Sequence, residues 1–137
     1  VDAELTLAPG LPQVQVRGVS KLLRRAVRNL LENAARHGRR AGQPLAVGVA
    51  LSVQGGQAVL QVDDRGPGVP VDLRERIFEP FYRLPGASER EGGVGLGLAL
   101  VRSIAQRHGG SVVCGEHPGG GARFSLRLPL VEHDRVV

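Results

Sequence analysis

The apolar positions of this chain switch between two periods, and the switches divide it into elements. From about Val19 to His37, the residues Leu22, Leu23, Ala26, Val27, Leu30, Leu31 and Ala34 recur every three or four positions. That spacing predicts a long amphipathic helix with those side chains on its buried face. Arg25, Asn29, Asn33 and Arg36 fall along a neighbouring stripe, and Gly38 suits the helix C-terminus. From Leu45 to Val53 the pattern alternates with period two; Gly55-Gly56 supplies a turn, and Gln57 to Val62 follows as the hairpin partner. A second helix is predicted over Leu98 to His108, entered through glycines and stopped by Gly109-Gly110, with Leu98, Leu100, Val101, Ile104 and Ala105 on its apolar face. Ser111 to Glu116 and Arg123 to Leu128 form a second hairpin around Pro118-Gly119-Gly120-Gly121. Smaller pieces complete the pattern: a strand over Glu4 to Leu7, an extended stretch over Val14 to Val16, and a short helix over Val71 to Phe78. Between Pro80 and Gly93 periodicity is lost, which predicts a long mobile loop of the kind used as a lid. The tail from Val131 is expected to fray. Helices combined with antiparallel hairpins predict an α+β two-layer sandwich, with the helices on one face of a mixed sheet.

Composition narrows the possibilities. The 137 residues suit one domain with its own core, 42% of them hydrophobic but only 3% aromatic, so the core must be built from Leu, Val, Ala and a few Ile. No apolar run approaches the roughly 20 residues of a membrane span, and no signal peptide is visible, so direct membrane insertion by this domain is not expected. The chain has no Met, so it is expected to be a fragment of a longer protein or a processed product, and a membrane anchor or sensor domain can lie outside it. Cys114 is the single cysteine, which excludes an internal disulfide and a cysteine-based zinc site. It lies in the apolar run Ser111-Val112-Val113-Cys114 and reads as a buried small hydrophobe, in keeping with a reducing cytoplasm. The net charge of +5 admits nucleic acid, nucleotide phosphates or an acidic partner. The arginines are scattered, however, and few aromatics are present to stack on bases, which argues against nucleic acid. His37, His108, His117 and His133 show no metal-ligand spacing, and no Ser-His-Asp set can be assembled.

Three segments carry chemistry. Asn29 and Asn33 lie four residues apart, hence on one helix face. Asparagine is a mediocre helix former, so two inside a strong helix need a reason. An amide oxygen is a hard ligand for Mg²⁺ and an amide nitrogen can donate to phosphate; a solvated face is the plain alternative. In Asp64-Arg65-Gly66-Pro67-Gly68, a carboxylate at a strand end can accept the amino group of adenine, and the glycines let backbone approach a flat ring; an ordinary turn also fits. In Gly92-Gly93-Val94-Gly95-Leu96-Gly97-Leu98, alternate glycines before a helix leave backbone N–H groups for phosphates. Leu98 breaks the dinucleotide G-x-G-x-x-G pattern and no Walker lysine follows, so a Rossmann domain or P-loop is disfavoured. Phe78-Glu79-Pro80-Phe81-Tyr82-Arg83 reads as a hydrophobic anchor for the loop. Arg83 and Arg90 flank the mobile segment, and either can swing onto a γ-phosphate or remain a solvated charge. His37 is balanced between nucleotide contact and helix-end stabilisation. Gly119-Gly120-Gly121-Ala122-Arg123-Phe124 reads as a tight turn before a core Phe, without chemistry of its own.

In this order the segments resemble the ATP-binding catalytic domain of bacterial two-component sensor histidine kinases. Asn29-Leu30-Leu31-Glu32-Asn33-Ala34 is similar to the N box, Asp64 to Gly68 to the G1 box, Phe78-Glu79-Pro80-Phe81 to the F box and Gly93 to Leu98 to the G2 box. Gly119-Gly120-Gly121 with Phe124 is similar to the final glycine box. The resemblance runs from about residue 18 to 128. It implies a Bergerat fold: a mixed, mostly antiparallel sheet of about five strands on three helices, with a mobile ATP lid. It also implies that Asn33 ligates Mg²⁺ with help from Asn29, and that Arg36 and His37 face the phosphates. Asp64 would hold the adenine amino group, with Gly66 and Gly68 lining the pocket beside Ile77 and Phe78. Gly93, Gly95 and Gly97, with Leu96 and Leu98, would hinge the lid and support the phosphates, joined by Arg83 and Arg90. Val94 departs from the hydroxyl residue often found there, which predicts a modest loss of nucleotide affinity.

ATPases of this superfamily carry a Glu one turn before the metal-binding Asn. Here that position is Asn29, and Glu32 lies about 100° round the helix from Asn33. The resemblance therefore implies a kinase, with Glu32, Asn29 and Arg83 as catalytic candidates and Glu32 orienting or deprotonating the acceptor imidazole. No phosphoacceptor box is present, so the histidine must come from a dimerisation domain of the parent, which would then phosphorylate a cognate response regulator. The domain would sit on the cytoplasmic side of a membrane sensor. A serine kinase of the same fold, of the anti-sigma type, and an ATP-gated binding module are the alternatives.

Overall fold

A computed structural model of the chain describes residues 3–7, 15–83 and 95–131. Its centre is a five-stranded sheet made by β1 (Ala3–Leu7), β2 (Val47–Gln54), β3 (Gln57–Asp63), β4 (Ser111–Glu116) and β5 (Ala122–Pro129). The strand order is β1-β2-β3-β5-β4. β1 runs parallel to β2, and the other neighbours are antiparallel, so the sheet is mixed and mostly antiparallel. Gly55 and Gly56, at φ of 56° and 77°, make the tight turn of the β2–β3 hairpin.

Strand alternation supplies the core. Val62, Phe124 and Cys114 share one sheet face, as do Leu60, Leu126 and Val112, because their registers pair directly across β3, β5 and β4. Two helices cover that face: α1 (Ser20–His37), packed on β2 and β3, and α2 (Gly97–Arg107), packed on β4 and β5. Ala26, Leu30 and Ala34 of α1 and Val101, Ile104 and Ala105 of α2 are buried between the layers. Leu30 is fully buried, worth about 2 kcal/mol in apolar area alone. Leu22, Leu23 and Leu31 pack at the margin.

Several expectations are corrected. Leu100 is 37% exposed and leaves the apolar face of α2, because the buried stripe runs through 101, 104 and 105. The segment Val71 to Phe78 is not one helix but two 3-10 turns, Val71–Leu73 and Arg76–Phe78. The tighter winding places two successive side chains, Ile77 and Phe78, in the core, and Phe78 meets Phe124 edge-on at 6.1 Å between ring centroids. These turns form the third helical piece of the layer. Val16 makes only an isolated bridge to Leu130, and Cys114 is half-buried. Burial nevertheless pushes its thiol up to about 11, with Arg74 pulling down and Asp64 pushing up. Phe81 is not an anchor: at φ 66° it is 69% exposed, because the chain there turns to donate its N–H to the Gly95 carbonyl at 2.9 Å. The expected lid from Pro80 to Gly93 falls largely, and the tail beyond Val131 wholly, outside the described residues.

Candidate nucleotide site

The site forms where the C-terminal half of α1, the end of β3 and the β4–β5 turn converge. Asp64 follows β3 directly and is only 4% exposed. Its Oδ1 accepts two backbone N–H groups, from Gly66 at 3.0 Å and from Ala122 at 2.9 Å. Its own N–H donates to the Ala122 carbonyl at 3.0 Å. Oδ2 has no hydrogen-bond partner among the described residues. A buried carboxylate held on one oxygen and open on the other is a preorganised acceptor.

The glycines around it are there for space. A Cβ on Gly121 would strike the Asp64 carbonyl, and its φ of 105° excludes most side chains. A Cβ on Gly66 would lie 2.5 Å from the His37 carbonyl and 2.9 Å from Gly38 Cα. Gly38 ends α1 at φ −90°, not in the left-handed region; it is Gly because a Cβ would lie 2.5 Å from that of Asp64. The Gly119–Gly121 turn was expected to carry no chemistry. Directly after it, the Ala122 N–H holds Asp64 Oδ1, a structural contact.

Asn29 and Asn33 are half-buried on α1. Asn29 Nδ2 donates to the Gly97 carbonyl at 3.2 Å, which ties α1 to the start of α2 and leaves Oδ1 for another group. The Asn33 amide has no hydrogen-bond partner among the described residues. Two open amide oxygens on one helix face fit a hard cation with phosphates. Among the described residues no cluster of His, Cys, Asp and Glu offers a competing metal site. Glu32, Arg36 and His37 are exposed beside this face, and Arg83 is half-buried at the last described position before the lid.

The described residues on either side of the segment 84–94 meet at one point. Besides the Phe81–Gly95 hydrogen bond, a Cβ on Gly95 would fall 2.9 Å from Phe81 Cα. Arg102 packs over the Phe78 ring at 5.6 Å and bonds Glu75 at 2.8 Å, fastening the aromatic segment to α2. Leu96 is exposed, Gly97 is the first residue of α2, and Leu98 is half-buried. Gly68, at φ 77°, continues the loop after Asp64, and Ile77 and Phe78 lie in the core. Arg90, Gly93 and Val94 fall outside the described residues.

Two features escaped the sequence. Asp63 makes a two-pronged bond to Arg123 at 2.7 and 2.9 Å, with His117 Nε2 3.6 Å away. The Asp63 bonds push the Arg123 guanidinium above its already high range. Strand pairing of 63 with 123 would have revealed this pair. Arg40, which bonds the Gly66 carbonyl at 3.2 Å, belongs to no pattern.

Comparison with known proteins agrees with this fold. The family described as histidine kinase-, DNA gyrase B-, and HSP90-like ATPase matches residues 18–132. The alginate biosynthesis sensor protein KinB of Pseudomonas aeruginosa is 38% identical over 130 residues, 95% of this chain and 20% of that protein. The chain thus spans about a fifth of that relative's length. The structure of the mycobacterial sensor histidine kinase MprB superposes with a TM-score of 0.76 at 34% identity, over 94% of this chain and 81% of that one. The ATP binding domain of PrrB from Mycobacterium tuberculosis gives a TM-score of 0.71 at 34% identity, over 95% and 82%. The chain belongs to the histidine kinase-, DNA gyrase B- and HSP90-like ATPase family, as the ATP-binding catalytic domain of a two-component sensor histidine kinase.

Proposed function

We propose that the domain binds Mg-ATP between α1, the Asp64 loop and the start of α2, and passes the γ-phosphoryl group to a histidine on a separate dimerisation domain of its parent. Asp64 Oδ2 accepts the adenine amino group. Asn33, assisted by Asn29 Oδ1, holds Mg²⁺, which when bound neutralises phosphate charge. Arg36, His37 and Arg83 serve the phosphates, and the same role is assigned to Arg90 and the Gly93–Leu98 glycines on the resemblance alone. The incoming imidazole nitrogen bonds the γ-phosphorus as the bond to the β–γ bridging oxygen breaks and ADP leaves. Glu32, exposed on α1, orients that imidazole or takes its N–H proton. The parent then phosphorylates a response regulator. We place the domain on the cytoplasmic side of a membrane sensor; among its described residues no helix is long and apolar enough to cross a membrane.

The observation that carries the kinase reading is Asn29. An amide bonded to the Gly97 carbonyl occupies the position where a hydrolase of this fold carries the water-activating Glu. The test incubates the chain with γ-labelled ATP and a separately expressed acceptor domain. Acid-labile, base-stable label on the acceptor is expected. Acid-stable label would replace the reading with a serine kinase, and ATP binding without transfer would replace it with a nucleotide-gated module.

A further inference from the structure

Arg40 lies outside every box, in the connection between α1 and β2. Its Nε donates to the Gly66 carbonyl at 3.2 Å. Its Nη2 sits 2.8 Å from where a Cβ on Gly120 would stand. One guanidinium therefore bonds the loop after β3 and lies in packing contact, without a hydrogen bond, against the β4–β5 turn. These same segments supply the two N–H donors to Asp64 Oδ1, from Gly66 and from Ala122, two residues beyond Gly120. The planar fork of Arg can hold two sites at once, which the single ammonium of Lys cannot do in the same geometry.

We propose that Arg40 is a positioning residue for base recognition, clamping the two donor segments so that Asp64 keeps Oδ1 occupied and Oδ2 presented to a 6-amino purine. This rests on the reading of Asp64 as the acceptor of the adenine amino group. Arg40 acts through that carboxylate and does not touch the base. Loosening the clamp lets Asp64 turn its free oxygen away, and the loss falls only on ligands that donate at the 6-position.

The test measures the affinities of the chain for ATP and for inosine triphosphate, which has a carbonyl at that position, by calorimetry with melting temperatures alongside. For Arg40→Ala, ATP affinity is expected to fall about fivefold, inosine triphosphate affinity to stay within about twofold, and the preference for ATP to shrink accordingly. Arg40→Lys is expected to recover less than half of the preference. In an Asp64→Asn background, Arg40→Ala is expected to have no further effect on the preference. Equal losses for both nucleotides overturn the proposal: with ADP spared they mark a phosphate-directed charge, and with a lowered melting temperature a purely structural strut. Unchanged affinities also overturn it. If wild type shows no preference for ATP, or Asp64→Asn keeps it, the Asp64 reading itself has failed. If Asp64→Asn loses the preference while Arg40→Ala keeps it, only the clamp has failed.

Discussion

The two ends of the helical layer use the same parts to opposite effect. About 27 Å of α1 separates them. At the N-terminal end of α1, the Val19 N–H donates to His108 Nε2 at 3.0 Å, while His108 Nδ1 bonds the Ile104 carbonyl at 2.7 Å. An accepting Nε2 assigns the proton to Nδ1, so both ring nitrogens are engaged. Gly18 lies against that ring, and a Cβ there would strike it. At the other end, Gly121 and Gly38 lie as closely against Asp64, yet one carboxylate oxygen stays open. A polar side chain whose capacity is used up by its own backbone makes a joint. One with capacity left over, held still, makes a site. A cleft of about 650 Å³ opens at the joint, lined by Arg17, Gly18, Val19, Arg107 and His108, yet the His108 ring there is already bonded to backbone through both nitrogens.

That contrast can be broken most forcefully at Gly121. Gly121→Ala drives a methyl group into the Asp64 carbonyl at a φ of 105°, and is expected to weaken ATP binding by at least about 100-fold in calorimetry. Asp64→Asn comes next. Its amide oxygen can keep both N–H bonds, but its amide nitrogen then faces the adenine amino group, donor against donor. A loss of about 10- to 100-fold in ATP affinity is expected, with a nearly unchanged melting temperature. The joint should answer in the opposite way. His108→Ala strips the Val19 N–H of its acceptor and is expected to lower stability by about 1 kcal/mol, a few degrees in melting temperature, with ATP affinity unaltered. The smallest effect concerns Cys114, whose thiol is raised from 9.0 to about 11. Between those values the folded chain holds the proton more tightly than the unfolded chain. The contribution of this thiol to stability is therefore complete below pH 9 and is lost as the pH rises toward 11. Comparing the alkaline melting profiles of wild type and Cys114→Ala reads it; parallel profiles through that window would contradict the shift.

Legibility followed range along the chain. Helix and strand identities came from periods of 3.6 and two, which a short window contains, and their ends moved by only one or two residues. The segment Val71 to Phe78 was misread because eight residues cannot separate an α-turn from two 3-10 turns. That choice was made by the core space that receives Ile77 and Phe78 together. Leu100 was misassigned because a stripe boundary depends on where the neighbouring layer ends. The parallel partnership of β1 with β2 spans the whole of α1, beyond any local signal.

By itself the sequence determined the family and the two layers, and it nominated the candidate residues of the site, since glycine spacing, the Asn pair and Asp64 are all local patterns. The tertiary structure decided how that chemistry is held. The Asp64–Ala122 bond joins residues 58 apart, the Asn29–Gly97 bond residues 68 apart, and the Val19–His108 bond residues 89 apart. Whether a carboxylate keeps one oxygen open depends on which distant N–H groups folding brings to the other, and side-chain identity alone carries no information about that.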